Sequence, residues 1–126
     1  MISIDSDVLI EILDRKSLKG DQALKQITES KEEVTTTVIS LHEVLYGLHK
    51  YGKPVKELLL LPILSYTKKD AVLASKIEHE VEKKGKMGCR TDAMIAAITI
   101  NNGAKLFTFN LKHFEDFREF GLELYP

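Results

Sequence analysis

One cysteine and no tryptophan in 126 residues remove several function classes before any motif is considered. With Cys89 alone, an internal disulfide and a multi-cysteine metal site are both excluded. A lone cysteine beside an apolar helix reads as a small buried hydrophobe. No apolar run approaches the ~20 residues that a membrane-spanning helix requires, so no membrane is expected among the partners. The start, Met1-Ile2-Ser3-Ile4, leads straight into a strand pattern without the basic segment or cleavage site of an export signal. A cytoplasmic protein is therefore expected. The formal net charge is only −1, which offers no protein-wide basic field for gathering nucleic acid. Of the four histidines, His42 and His49 stand seven apart on one predicted helix, while His79 and His113 have no metal-like spacing to any partner. All four are read as surface or partly buried side chains. Repeats, linkers and low-complexity segments are also missing, and a single domain spanning residues 1–126 is expected.

A hydrophobic fraction of 44% and a charged fraction of 29% are ordinary for a globular protein. Their arrangement alternates between strand and helix patterns. Ile2 to Asp5 reads as a short buried strand, and Ser6 to about Leu13 as a helix. An amphipathic stretch from about Gly20 to Ser30 places Ala23, Leu24 and Ile27 on one face. The β-branched run Val34 to Ile39 predicts a second strand, and Ser40 then opens a helix carrying Leu41, Val44, Leu45 and Leu48. Val55 to Leu61 predicts a further turn or two of helix, and Ile63 to Tyr66 a third strand. From about Lys69, Ala71, Ala74, Ile77 and Val81 recur at helical spacing until Gly85. Another helix begins near Asp92 and closes at Gly103; Lys105 to Phe109 and Gly121 to Tyr125 read as the last strands. Strands alternating with helices predict a three-layer α/β domain with a mainly parallel central sheet.

Acids stand at three predicted strand-to-helix junctions: Asp5, Glu43 and Asp92. Each has an ordinary structural reading. Asp5, Ser6 and Asp7 are good N-cap residues, Ser40-Leu-His-Glu43 fits a capping box, and Thr91-Asp92 is a plain helix start. Capping does not, however, require all three acids to lie at one edge of one sheet, where the ligand crevice of an open α/β sheet forms. Converging carboxylates repel unless a cation lies between them, and an all-oxygen set suits magnesium or manganese better than zinc.

The segments around these acids resemble the motifs of PIN-domain nucleases. Ile4-Asp5-Ser6-Asp7-Val8-Leu9-Ile10 is similar to the family's opening, and Val38-Ile39-Ser40-Leu41-His42-Glu43-Val44-Leu45-Tyr46-Gly47 to its second motif. Thr91-Asp92-Ala93-Met94-Ile95-Ala96-Ala97 resembles the third, and Leu106-Phe107-Thr108-Phe109-Asn110-Leu111-Lys112-His113-Phe114 the fourth, as it ends many VapC-type toxins. The four occur in order across almost the whole chain. The resemblance implies a three-layer PIN-like domain and a magnesium- or manganese-dependent endoribonuclease, the toxin of a toxin–antitoxin pair. It assigns Asp5, Glu43 and Asp92 to metal and catalysis. It also implies an RNA substrate, a small VapB-like antitoxin and a homodimer. In one place the chain departs from the family: the fourth motif usually supplies a further acid, and Asn110 stands at the matching position. Asn110 is expected to position water or hold the loop through its amide.

Two other readings compete. A catalytically impaired PIN-like module that binds RNA or protein fits the missing fourth acid. Asp5-Ser6-Asp7 also resembles the opening of haloacid-dehalogenase phosphatases, but Leu9 stands where those enzymes have Thr or Val, and their late paired acids are missing. The run Leu58-Leu59-Leu60-Leu61 cannot all face one core from a helix, which predicts an exposed apolar patch.

Overall fold

The structure is a computed structural model that describes residues 1–126. It contains five strands: β1 (Ile2–Ile4), β2 (Val34–Thr37), β3 (Ile63–Leu64), β4 (Lys105–Phe107) and β5 (Glu123–Leu124). They form one sheet in the order β3-β2-β1-β4-β5, and every neighbouring pair is parallel. The expected α/β sheet is thus present, and it is parallel throughout.

Seven α-helices connect the strands: α1 (Ser6–Leu9), α2 (Leu18–Ser30), α3 (Val38–Lys50), α4 (Lys56–Leu59), α5 (Lys68–Lys83), α6 (Arg90–Asn101) and α7 (Leu111–Phe114). A π-helical turn from Ile10 to Arg15 extends α1, and a 3₁₀ turn from Glu115 to Phe120 follows α7. Side-chain alternation along the strands divides the apolar core in two. Ile2, Ile4 and Phe107 face Val8, Leu9, Ala23, Ile27, Val44, Leu48 and Leu58. Leu106 points to the other side and packs with Ile77, Val81, Ala93, Ile95, Ala96, Phe114, Phe117 and Leu122. Helices therefore cover both faces, as a parallel sheet requires.

Several boundaries differ from expectation for local reasons. Helix α3 starts at Val38 rather than Ser40, because Thr37 is its N-cap and accepts the Ser40 N–H through its side chain. The expected strand from Val34 to Ile39 is correspondingly shorter, and Ser40-Leu-His-Glu43 is not a capping box. Glu43 instead lies in the second turn. A capping box does form at α5, where Thr67 and Asp70 satisfy each other's backbone N–H groups. The expected helix after Asp5 changes into the π turn, against which α2 lies unusually close. A Cβ on Gly20 would sit 2.2 Å from the Glu11 carbonyl oxygen, so only glycine fits there.

Leu58 is 1% exposed, whereas Leu59 and Leu60 are 55% and 76% exposed, so half of the leucine run does reach the surface. On α3, Val44 and Leu48 belong to the core, Leu41 and Leu45 are half-buried against it, and Tyr46 is exposed.

Candidate active site

Parallel register brings the site together. Ser3 pairs with Thr35 and Ile4 with Phe107, so the next residues along β1 and β4, Asp5 and Thr108, leave the sheet side by side. Thr37 ends β2 on the other flank. Asp5 is the N-cap of α1 and only 4% exposed. Its carboxylate is tied down on both oxygens. Oδ1 accepts the Ser6 N–H at 2.8 Å and the Ser40 hydroxyl at 3.4 Å, and Oδ2 accepts the Thr108 hydroxyl at 2.8 Å. Burial pushes the Asp5 pKa above the usual carboxylate range, while the hydroxyls of Thr108 and Ser40 and the Ser6 N–H pull the other way.

Three more carboxylates feel Asp5. Burial raises the pKa of Asp92, in the first turn of α6, and the charge of Asp5 raises it further. The residue surface of Glu43 is exposed, yet the atoms crowding its carboxyl group desolvate it enough to raise its pKa; Asp5 and Asp92 add to the rise. Asp7 is pushed up to about 6, by burial first and Asp5 second. One Asp7 oxygen, Oδ2, accepts the Phe109 N–H at 3.0 Å, whereas Oδ1 is buried without a hydrogen-bond partner. Asp5, Glu43 and Asp92 therefore share one electrostatic neighbourhood, and Asp7 joins it. As the side chains stand, no three acids, histidines or cysteines form a closed ligand set for one ion. The donor chemistry nevertheless fits a hard divalent cation. All four carboxylates are held in a state that a positive charge would relieve, and Asp7 Oδ1 lacks any other partner.

Asn110 is joined to this group through its backbone, by way of the Thr108 hydroxyl that holds Asp5. It is exposed at the N-cap position of α7; its N–H donates to Thr108 Oγ1 at 3.0 Å and its side chain caps nothing. On the Asp92 side, His113 Nδ1 stands 3.7 Å from Asp92 Oδ2, and the ring is exposed. Sequence reading missed Ser40 as a site residue, having assigned its hydroxyl to a cap, and it missed Thr108, which looked like any β-branched strand residue. The signal for Thr108 was its place at the exit of a strand beside the one ending at Asp5.

A sequence model of the PIN domain matches residues 2–119. The chain belongs to the PIN-domain family. Among its relatives, ribonuclease VapC1 of Methanocaldococcus jannaschii is 28% identical over 98% of this chain and 86% of that protein. Ribonuclease VapC2 of Haemophilus influenzae is 27% identical over 89% of this chain and 88% of that protein. Solved structures give the same PIN fold. VapBC2 of Rickettsia felis, bound to a DNA fragment from its promoter, superposes with a TM-score of 0.80 at 23% identity, covering 99% of this chain and 98% of that one. DNA-bound VapBC of Salmonella typhimurium reaches 0.79 at 24% identity, covering 98% and 96%.

Proposed function

We propose that this PIN-domain chain is a metal-dependent endoribonuclease that cleaves RNA phosphodiester bonds, the toxin half of a VapBC-like toxin–antitoxin pair acting in the cytoplasm. The reading rests on the Asp5 carboxylate, fixed by the Ser6 N–H and the buried hydroxyls of Ser40 and Thr108 at the centre of four acids whose pKa values are all raised. Two relatives named as VapC ribonucleases support the substrate class.

In this reading Asp5, Glu43 and Asp92 hold magnesium or manganese, and the whole of residues 1–126 works as one domain. Such an ion, when bound, supplies charge neutralisation at a phosphoryl oxygen and acidifies water near neutral pH. Asp5 is the fixed ligand, because Ser6, Ser40 and Thr108 hold both its oxygens in one orientation. Glu43 and Asp92 lack the full donor set of Asp5: the Ser6 side chain offsets part of the rise at Glu43, and only His113 stands against Asp92. With raised pKa values they are the groups suited to receive the proton of an attacking water. Asn110 orients water or the loop through its amide. Cleavage of single-stranded RNA by the purified protein with manganese, and its loss in excess EDTA, is the expected result. Full cleavage in EDTA by protein free of contaminating ribonuclease would end the metal mechanism.

The partners follow from the same reading. A small VapB-like antitoxin and a second copy of the chain are the expected binding partners, as in the VapBC complexes of matching fold. Exposed apolar side chains recur from α3 to just past α4, with Tyr46 on α3, Tyr51 just after it, Leu59 at the end of α4 and Leu60 just beyond, and they are available for such contacts. Light scattering is expected to give a dimer; a strictly monomeric protein at micromolar concentration removes the second copy.

A further inference from the structure

Beside Asp92 lies a pocket of about 340 Å³ whose other lining residues have no part in the proposed metal site. The connection from α5 to α6 forms one wall, with Lys86, Met87, Gly88 and Cys89, and α7 forms the other, with Lys112 and His113. Asp92, one of the proposed metal ligands, is part of the lining, so the pocket adjoins the proposed site through that residue.

The charges around it are unequal in availability. Lys86 is paired with Asp116, Lys84 with Glu119 and Arg90 with Glu78. Lys112 lines the pocket, is exposed, and has no acidic partner within ion-pair distance. Met87 is 77% exposed, a large apolar side chain beside a free ammonium group. Its loop is held by Gly88 at a φ of 74°, where a side chain is strained although no neighbour would block one. One free cation, one exposed apolar side chain and a volume suited to a single residue of ligand match the chemistry of one nucleotide: a phosphate and a base.

We propose that this pocket is a substrate subsite, holding the nucleotide next to the scissile phosphate, with Lys112 on its phosphate and Met87 against its base. The subsite rests on the ribonuclease reading but acts in binding, not in chemistry. A contact made equally in the ground and transition states sets KM and leaves kcat unchanged.

The experiment has two arms. Cleavage of a single-stranded RNA oligonucleotide with manganese is measured for the wild type, Lys112→Ala, Met87→Ala and Lys56→Ala, the last being in a separate groove with Leu13 and Lys53. Binding of the same labelled RNA is measured by anisotropy with each change placed in an Asp5→Asn background that does not cleave. Lys112→Ala is expected to raise KM and Kd about tenfold, the weight of a hydrogen bond to a charged group. It should also reduce the salt-dependence slope by about 0.7, the loss of one single-strand phosphate contact. Met87→Ala should raise both constants without changing that slope, and Lys56→Ala should change neither. Unaltered KM and Kd in folded Lys112→Ala, or equal losses in Lys112→Ala and Lys56→Ala, would overturn the subsite. No RNA cleavage by the wild type, with the binding differences still present, would leave the subsite standing and sink the ribonuclease reading instead.

Discussion

The two sides of the acidic cleft are built on opposite principles. Around Asp5, the carboxylate and the hydroxyls of Ser40 and Thr108 are buried, Ser6 is half-buried, and each carboxylate oxygen has a donor from among these three parts of the chain. Around Asp92, the neighbours are exposed: His113, Lys112 and the loop with Met87. Buried hydrogen bonds in a low dielectric set geometry strongly and tolerate little change. Exposed charges attract ligand but leave it free to depart. A hydrolytic site needs both properties, a rigid ligand for the ion and a surface that releases product. The difference between the two sides is the reading most open to experiment.

The largest expected effect is on the buried side. Asp5→Asn should abolish cleavage and weaken manganese binding, because it removes the one carboxylate whose direction is fixed. The loss should exceed the ~10–100-fold typical of changing a group that only supports a metal ligand. Calorimetric titration with manganese on the folded variant checks this, and undiminished binding would place the ion elsewhere. Thr108→Val should come next. It removes the donor to Asp5 Oδ2 while nearly keeping shape, and should lower metal affinity or activity ~10–100-fold. Thr108→Ser, which keeps the hydroxyl, should rescue most of the loss; if it does not, packing rather than the hydrogen bond carries the effect.

That Thr108 was missed explains where sequence reading reached its limit. Asp5 and Glu43 were legible because they follow strand patterns; Asp92 follows helix α5 rather than a strand, and it was legible from the Thr91–Ala97 segment at the start of α6. The α/β alternation was legible from apolar spacing alone. Both signals are local. The role of Thr108 depends on Asp5, 103 residues away, through the pairing of Ile4 with Phe107. Ser40 shows the same limit in reverse. Thr37 and Ser40 are both plausible N-caps three residues apart, and local preference cannot choose between them. The choice is made in three dimensions, where Thr37 sits at the end of β2 and the Ser40 hydroxyl meets Asp5. The π turn from Ile10 to Arg15 was equally hidden, since Ile10, Ile12 and Leu13 fit an ordinary helix pattern as well.

A smaller effect concerns stability and pH, and it tests whether crowding of the acids is real. Asp7 has a folded-state pKa of about 6 against 3.8 for the free side chain, so between those values the folded protein holds a proton that the unfolded chain has lost. Stability of the metal-free protein should therefore fall as pH rises through this window, the direction given by proton linkage. Asp5, Glu43 and Asp92 are shifted the same way and act in the same sense. Asp7→Asn should flatten the decline and leave the variant more stable than the wild type at pH 7, with the advantage gone below about pH 4. Denaturant melts from pH 3.5 to 7.5 in EDTA would measure it. Saturating manganese should shrink the difference in both proteins if the ion sits among these acids.

The smallest expected effect is at Asn110, and it probes the boundary between the two sides. Asn110 follows Thr108 closely, and its backbone N–H donates to the same hydroxyl that holds Asp5. Its side chain is nevertheless exposed and caps nothing, so it inherits the position of the buried side without its restraint. Asn110→Asp keeps the size and adds a charge next to Phe109, whose N–H is bonded to Asp7. In the metal-free protein the added carboxylate should push Asp7 further up and lower stability at neutral pH, because like charges oppose each other's ionisation. With manganese present the sign reverses, and affinity should increase by a few fold as an added carboxylate oxygen balances the ion. The rate need not follow, since an added ligand can take the place of the attacking water. Titration of wild type and variant with manganese at pH 7 decides the matter. Unchanged affinity in a folded variant would put Asn110 outside the coordination sphere, leaving Asp7, with its unpartnered Oδ1, as the nearer candidate for the fourth acid.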